Sequence, residues 1–361
     1  MSIFGPGIDD SVDKFFIEKV GGAGHRVPPI RSSAVATYQL CPRKFLYDEK
    51  LGIKPRHYEG ALSRGDIYHQ FRAHLIQGTP LAQAEVIVKA TLDKTKARLV
   101  EQAGSDGRLP GGDDLVSVIS KADEDYAVAQ AMAEAANDLY PLDPTVWRIA
   151  VHPKTGKPLV ETLHEYDYGN AKVVMQFDRV LEHVPTGEIW LVDDKTTRFR
   201  PKVVAFSKSF AFQIRLYRTG LCDLFPPERV VGAIHTILQV PTIRQKQKES
   251  FREYVDRVPQ WYKDKMAEGP DDPPIVQSTT RFDEPLWSEE LQEVMNQQDL
   301  ASLGDPVLSK FPRNDGACFK YERACPYLQL CVTEPATWPR FIPLQYDTRF
   351  RQDETKENRN E

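Results

Sequence analysis

The sequence predicts a mixed α/β fold, in which a core sheet flanked by helices follows a helical N-terminal part. Two observations carry this prediction: apolar residues recur at helical spacing in the first third of the chain, and strand-like runs joined by short turns fill the middle. A third observation, four cysteines split between the two ends, predicts that a metal staple joins the N- and C-terminal segments. At 361 residues, the chain is long enough for one large domain with additions.

Helices are predicted throughout the first third. Residues 1–29 form a flexible arm that contains several glycines, and Ser32 or Ser33 then caps a helix that carries Cys41 on it or at its end. The remaining predicted helices of this part span residues 63–77, 81–103 and 115–139.

Strand patterns begin after residues 141–144, where two prolines mark the change from helical to strand-like patterns. The predicted strands span residues 146–151, 159–166, 173–181 and 189–196, and their short turns predict an antiparallel meander. A helix over 207–224 and a strand over 230–240 complete the core, and more helices follow residue 246. We therefore predict one domain over 30–335, divided into a helical part (about 30–140), an α/β core (about 145–242) and a helical, cysteine-bearing part (about 246–335). The tail over 336–361 is predicted to be disordered at its charged end.

The charge balance and the absent motifs exclude several functions. A formal net charge of −5 argues against a protein that coats nucleic acid by bulk electrostatics, although it permits a local basic groove. Basic residues crowd 198–218 and 244–252, for which the plain alternative is a solvated face. The chain has no membrane-length apolar run and no signal peptide, which predicts a cytoplasmic location. No phosphate-binding G-x-x-x-x-G-K-[ST] loop occurs, so an ATP-driven motor is not expected.

Acidic residues and a lysine fall on two neighbouring predicted strands. Asp178 lies in the third strand, and Asp193, Asp194 and Lys195 lie in the fourth. Because strand side chains alternate, Asp193 and Lys195 point to one side and Asp194 to the other, and strand pairing brings Asp178 beside Asp193. Two carboxylates at one place favour a hard cation, Mg²⁺ or Mn²⁺, which with a nearby lysine suits phosphodiester hydrolysis. The alternative is a surface ion pair of Asp178 with Arg179 or Lys195.

Four cysteines suggest a shared metal. Cys318, Cys325 and Cys331 lie within fourteen residues, and Cys41 lies far away near the N-terminus. Four thiolates are the ligand set of a tetrahedral zinc or of an iron–sulfur cluster, whereas the alternative is a set of unlinked buried thiols. Cys222 sits in an apolar helical pattern, so we interpret it as a core residue.

Several short motifs occur in the order that one family shows. They are Cys-Pro-Arg-Lys-Phe at 41–45, Gly-Asp-Ile-Tyr-His at 65–69, Asp178, Asp-Asp-Lys-Thr at 193–196, Gln-Ile-Arg-Leu-Tyr at 213–217, and the three trailing cysteines. With this order, roughly residues 31–331 resemble the PD-(D/E)XK nucleases of the RecB type. The likeness is greatest to the four-cysteine iron–sulfur branch of the AddB nuclease domain and of CRISPR-associated and phage-encoded exonucleases. The resemblance implies a restriction-endonuclease-like core sheet.

The resemblance also implies roles for individual residues. Asp178, Asp193 and Lys195 would be catalytic. The Mg²⁺ or Mn²⁺ ligands would be His69, Asp178, Asp193 and the backbone carbonyl of Asp194, with Gly65 permitting a close approach of the His69 helix to the sheet. Gln213 and Tyr217 look like the Q-x-x-x-Y motif that lines the DNA path, with the basic residues Arg215 and Arg218 interleaved. Cys41, Cys318, Cys325 and Cys331 would bind a [4Fe–4S] cluster, with zinc as the alternative.

Two features depart from the family pattern. Six residues separate Cys318 from Cys325, where better-known members have two. Asp194 is an acid where the family usually has an apolar or aromatic residue, and we expect its side chain to meet solvent or a neighbouring arginine.

The resemblance implies a metal-dependent DNA exonuclease that prefers single-stranded or frayed ends and serves recombination, replication or repair. Because the chain has no motor of its own, we expect it to act on DNA beside a helicase, a single-strand-binding protein or a recombinase, with no membrane involved. Two alternatives remain open: a catalytically silent nucleic-acid-binding scaffold, and a zinc-stapled, structure-specific endonuclease.

Overall fold

The structure is a computed structural model that describes residues 29–55, 63–109, 113–168, 171–208, 212–282, 295–296, 311–319, 324–333, 337–338, 342 and 346–348. Its helices are α1 (Ser32–Leu40), α2 (Pro42–Phe45), α3 (Arg64–Ile76), α4 (Leu81–Gln102), α5 (Leu115–Leu139), α6 (Pro201–Lys208), α7 (Phe212–Leu224), α8 (Phe251–Asp256), α9 (Val258–Ala267) and α10 (Leu328–Val332). Its strands are β1 (Ile53–Pro55), β2 (Trp147–Ile149), β3 (Val160–Tyr168), β4 (Ala171–His183), β5 (Ile189–Thr197), β6 (Val230–Gln239), β7 (Ile275–Arg281) and β8 (Tyr346–Thr348). Nearly all of the predicted arm and the end of the predicted tail lie outside these residues. In the part of the chain described, no helix has the length and apolarity that a membrane span requires.

The starts of the N-terminal helices follow from capping. The side chains of Ser63 and Asp114 each accept a hydrogen bond from the N–H group three residues later, at 3.2 and 2.8 Å, and these bonds begin α3 and α5. The predicted serine cap of α1 is wrong, because Arg31 is the N-cap and no side chain caps this helix. The reason lies at Ile30, whose N–H and C=O groups both bond to the backbone of β4. The chain therefore leaves the sheet at Ile30 and turns directly into the helix.

The main sheet confirms part of the predicted meander. Its order is β2-β4-β5-β6-β7, with β3 also paired to β4, and β3, β4 and β5 are joined antiparallel as expected. The first predicted strand meets the second only where the two adjoin, since the Leu159 N–H donates to the Ala150 carbonyl and Val151 pairs antiparallel with Pro158, whereas β2 itself pairs with the end of β4. The thirteen residues of β4 leave room for β2 and β3 to lie one after the other along it. Strand β6 is parallel to β5, and helices α6 and α7 form the crossover between them. Strand β7, which the sequence did not predict, pairs antiparallel with β6 and is the edge strand on this side of the sheet.

Two apolar cores lie against the sheet. One packs α7 against β3, β4 and β6 and includes Phe177 and Leu216, both with no exposed surface. The other packs α3, α4, α5 and α9 together with Leu238 of β6 and Ile275 of β7. Helix α3 also contacts β3, β4 and β5 directly. The predicted acidic residues of β4 and β5 consequently lie where α3 and α7 both approach the sheet.

A third core joins the two ends of the described chain. Its N-terminal members include Phe45, Tyr47 and Ile53, and its C-terminal members include Phe311, Tyr327, Leu330, Trp338 and Tyr346. The Tyr327 hydroxyl donates a hydrogen bond to the Ile53 carbonyl at 2.9 Å, and β1 pairs antiparallel with β8. The strand β8 lies within the stretch predicted as a tail, so part of that stretch belongs to the fold. Apolar packing and strand pairing therefore both join the two ends.

Candidate functional site

Strands β4 and β5 bring three of the predicted residues together. The Lys195 ammonium lies 2.7 Å from Asp193 Oδ1 and 3.8 Å from Asp178 Oδ2. The pairing of Arg179 with Val192 sets this register, since the next pair along the strands is Asp178 and Asp193. Asp193 and Lys195 are two positions apart on β5 and so point to the same side. A cation therefore sits between two carboxylates from neighbouring strands, as the sequence predicted.

Helix α3 adds His69 to this group. Its Nδ1 atom lies 3.7 Å from Asp178 Oδ2. One helical turn earlier, a Cβ atom on Gly65 would lie 3.3 Å from Thr196 Oγ1, which is tighter than ordinary van der Waals contact. The absence of a side chain at Gly65 thus lets α3 approach β5 closely, as predicted, and this approach places the imidazole beside Asp178.

Glu161 is a member of the site that the sequence did not reveal. Its Oε1 atom lies 3.5 Å from His69 Nδ1, and its Oε2 atom accepts a hydrogen bond from Gln176 Nε2 at 2.8 Å. One ligand atom each from His69, Glu161 and Asp178 lie within 4.8 Å of one another, close enough to share one metal ion. Glu161 has a positive φ of 45°, a conformation that residues other than glycine seldom adopt and that tends to occur at functional sites. In the sequence, Glu161 is marked by its place in a predicted strand. The pairing of β3 with β4 then puts that place opposite Asp178.

Burial and mutual charge perturb the pKa values of these groups. Burial raises the pKa of Asp178 to about 6, against the opposing effects of Lys195 and His69. Burial lowers the pKa of His69, but the carboxylates of Glu161 and Asp178 outweigh it and raise that pKa to about 9. Burial likewise lowers the pKa of Lys195, but Asp178 and Asp193 raise it above its ordinary value. The carboxylates, the imidazole and the ammonium therefore form a partly buried cluster of opposite charges that compensate one another.

Asp193 shows that the site fits a cation. It is 1% exposed, and within the described residues neither of its carboxylate oxygens accepts a hydrogen bond of good geometry. The Lys195 ammonium lies close to one oxygen, and His235 Nδ1 lies 3.8 Å from the other. Burial raises the pKa of Asp193, but His235 and Lys195 lower it below its ordinary value. Carboxylate oxygens with spare acceptor capacity are the ligands that Mg²⁺ or Mn²⁺ takes.

Asp194 points away from this cluster and forms a buried ion pair. Its carboxylate receives two hydrogen bonds from the Arg179 guanidinium, one of them at 3.1 Å, and the two side chains are 2% and 7% exposed. Burial raises the pKa of Asp194, but Arg179 and Arg72 together hold it below its ordinary value. Of the two contacts expected from the sequence, solvent or a neighbouring arginine, the structure shows the arginine. The backbone N–H of Asp194 donates to Asp178 Oδ2 at 2.8 Å, so this residue orients the neighbouring carboxylate.

The predicted DNA-binding residues on α7 occupy different environments. The Gln213 amide donates to the Tyr217 hydroxyl at 2.8 Å, but Tyr217 is only 5% exposed and its ring packs edge-on against Phe177. With so little of its surface exposed, the Tyr217 ring offers a base almost no stacking surface in this structure. Arg218 is half-buried with its guanidinium over the Phe282 ring at 5.9 Å, and Arg215 is also half-buried.

The four predicted cysteine ligands line one cavity of about 310 Å³. Cys41 lies between α1 and α2, Cys331 lies in α10, and the Cys325 N–H donates to the Cys318 carbonyl at 2.7 Å. That hydrogen bond joins the two ends of the Cys318–Cys325 loop, so both cysteines lie close together. Cys222 instead packs against the core under α7.

Contacts around this cavity join segments that are far apart in the sequence. Asn314 Nδ2 donates to the Leu40 carbonyl at 2.8 Å, and Arg43 Nε donates to the Phe311 carbonyl at 2.7 Å. Burial raises the pKa of the Cys331 thiol to about 11, while the Tyr47 hydroxyl and Arg43 oppose this. Four thiols, an open space between them and the nearby cations Arg43 and Lys44 fit a metal centre with net negative charge.

Comparison with known proteins agrees with this geometry. The family model of the PD-(D/E)XK nuclease superfamily matches residues 32–332, which is well over half of the 361-residue chain. A search of curated proteins returns no match. The matched region runs from α1 to α10 and contains the sheet, the acidic cluster and all four cavity-lining cysteines. The chain belongs to the PD-(D/E)XK nuclease superfamily.

Proposed function

We propose that this protein is a metal-dependent DNA exonuclease of the RecB-type, four-cysteine branch, acting on single-stranded or frayed ends. The observation that carries the proposal is the placement of the Lys195 ammonium between Asp178 and Asp193, with the His69 imidazole beside them. A family nuclease that had lost its activity would have no reason to keep a lysine and two acids in this arrangement. The proposed nuclease domain spans residues 30–335.

The residues that would hold the divalent cation are His69, Asp178, Asp193 and the Asp194 backbone carbonyl, and Glu161 joins them by position. When bound, Mg²⁺ or Mn²⁺ neutralises charge on the phosphodiester and acidifies a water molecule. The Asp194 N–H keeps one oxygen of Asp178 in a single orientation, so the ligand set is held before substrate arrives.

Lys195 would act directly on the substrate. Its ammonium can donate a hydrogen bond to the attacking water or to a non-bridging oxygen of the phosphate, where negative charge develops. Hydrolysis forms a P–O bond to the water oxygen and breaks one P–O ester bond. Asp193, 2.7 Å away, keeps the ammonium pointed at this place.

The cavity between the cysteines would hold a [4Fe–4S] cluster, for which zinc is the alternative. Its ligands would be Cys41, Cys318, Cys325 and Cys331. The third core already brings these segments together, so the cluster would reinforce an existing contact. Resemblance supports the end preference. The cytoplasmic location and the association with a helicase, a single-strand-binding protein or a recombinase stay predictions from the sequence.

Cleavage of two single-stranded DNAs tests the proposed activity. Wild-type protein and the variants Lys195→Ala and Lys172→Ala are incubated with Mn²⁺ and end-labelled linear or covalently closed DNA. Lys172 is the matched control. Like Lys195, it lies on a strand of the main sheet and pairs with a carboxylate, that of Glu165 at 3.3 Å, but it lies outside the acidic cluster.

We expect the wild type and Lys172→Ala to degrade linear DNA only, and Lys195→Ala to leave both DNAs intact while still binding them. Cleavage of closed circles would favour a structure-specific endonuclease. No cleavage by the wild type would favour a binding scaffold, and full activity of Lys195→Ala would overturn the assigned site.

A further inference from the structure

A short segment directly after β5 alternates basic and apolar residues. It contains Arg198, Phe199, Arg200, Lys202 and Val203, and we refer to it as the basic–aromatic segment. Phe199 is 68% exposed and Val203 is 66% exposed, although most large apolar side chains near the sheet are buried. An exposed aromatic ring between cations is the composition of a surface that binds single-stranded nucleic acid.

The segment starts close to the proposed catalytic lysine. Phe199 follows Lys195 by four residues, so the two Cα atoms are at most about 14 Å apart. A DNA strand advances about 3.4 Å per nucleotide along a duplex axis, so only a few nucleotides separate the two positions. Arg198 lines a cavity of about 630 Å³ together with Gly65 and Thr196, and the carboxylates of Asp113, Asp114 and Asp125 line the same cavity.

Contacts with the rest of the protein hold this segment in place. The Phe199 N–H donates to Thr197 Oγ1 at 3.0 Å, and α6, which carries Val203, packs against β6 and β7. Arg200 Nε lies 3.5 Å from Asp272, and Lys202 contacts the Pro270 carbonyl. The ring of Phe199 is thus presented from a fixed turn, which lowers the entropic cost of binding.

The charges favour a phosphate backbone as the ligand. Within the described residues, Arg198 makes no side-chain hydrogen bond or ion pair, and the Arg200 side chain is 74% exposed despite its contact with Asp272. The protein as a whole is acidic, with a formal net charge of −5, so this positive segment is a local feature.

We propose that the basic–aromatic segment binds single-stranded DNA just outside the catalytic site, with an unpaired base stacked on Phe199 and phosphates at Arg198 and Arg200. This inference rests on the proposed nuclease function and names the residues that would select single-stranded DNA for its site. Phe199 would supply the stacking surface that the buried Tyr217 ring does not. Duplex DNA keeps its bases stacked on one another, so the ring would discriminate between the two forms.

Binding measurements separate this proposal from the cleavage chemistry. Full-length protein is titrated in EDTA, where no cleavage occurs, into a fluorescent 20-nucleotide oligothymidine and into a blunt 20-base-pair duplex. We expect Phe199→Ala to raise the dissociation constant for oligothymidine by about 5- to 150-fold with little change for the duplex, and Phe199→Trp to restore binding. Arg198→Gln and Arg200→Gln should each reduce the slope of log affinity against log salt by about 0.7.

Two valines provide a matched control. Val203 lies in the segment and Val86 lies on α4, and both are helical residues with 66% and 70% exposure. Val203→Ala should weaken oligothymidine binding, and Val86→Ala should not. Unchanged oligothymidine binding by Phe199→Ala, or an equal loss for duplex, would overturn the proposal even if the wild type cleaves DNA. Selective loss of single-strand binding in a protein that cleaves nothing would support this surface and refute the proposed activity instead.

Discussion

The buried ion pair between Arg179 and Asp194 allows a quantitative test of how the site is built. The perturbations are Asp194→Leu, which installs the apolar residue type usual in this family, Arg179→Met, and the double variant. Asp194→Leu leaves the Arg179 guanidinium with 7% exposure and no carboxylate, while Arg72 adds a second buried positive charge nearby. Removing one member of such a pair is far more costly than removing both.

The expected magnitudes follow from burial. Each single substitution should lower the free energy of unfolding by about 3–5 kcal/mol, because a buried charge loses its partner. The total free energy of unfolding of a globular protein is only about 5–15 kcal/mol, so this loss is large. The double variant should recover most of it, because a well-packed apolar pair replaces an ion pair at little or no cost. Arg148→Met is the matched control: Arg148 pairs with Glu182 on the same sheet but is 63% exposed, so we expect about 0–1 kcal/mol.

Urea unfolding followed by tryptophan fluorescence measures these differences. With a slope of about 1–3 kcal/mol per molar urea, the single variants should unfold at least about 1 M earlier than the wild type. A double variant that is no more stable than either single variant would refute the coupling. If the double variant is stable but cleaves DNA slowly, the pair also holds the Asp194 N–H against Asp178, which purely apolar packing would not do.

Four further outcomes are expected from other parts of the structure. Glu161→Gln should weaken Mn²⁺ binding at least about tenfold in calorimetric titration, and unchanged affinity would remove Glu161 from the ligand set. Tyr217→Ala should lower the free energy of unfolding by about 3–5 kcal/mol in urea, since the ring is buried, and a fully stable variant would contradict its core position. Gly232→Ala should lower the thermal midpoint, because a Cβ there would lie 2.6 Å from a backbone oxygen of β7, and an unchanged midpoint would count against that packing. Cys331→Ser should lose iron and sulfide from anaerobically purified protein whereas Cys222→Ser should keep both, and stoichiometric zinc in the wild type would replace the iron–sulfur assignment.

Local patterns in the sequence were sufficient for most of the secondary structure. Helices α3, α4 and α5 lie within a residue or two of their predicted limits, because apolar periodicity and capping residues act over a few positions. Strand alternation likewise separated Asp193 and Lys195 from Asp194 before any pairing was known. Strand β7 escaped prediction because its few apolar residues give way to Gln, Ser and Thr.

Tertiary contacts decided what each side chain meets. Glu161 joins His69 only because β3 pairs with β4 in one register and α3 packs close to the sheet, and neither condition is visible in the residues around Glu161. Asp194 became half of a buried ion pair, and Tyr217 became a core residue, through partners on other elements. The sequence by itself determined which residues are chemically capable and on which elements they lie, because those properties are local. Only the folded chain decided which of them are buried, paired or exposed, because those properties depend on residues brought together across long sequence separations.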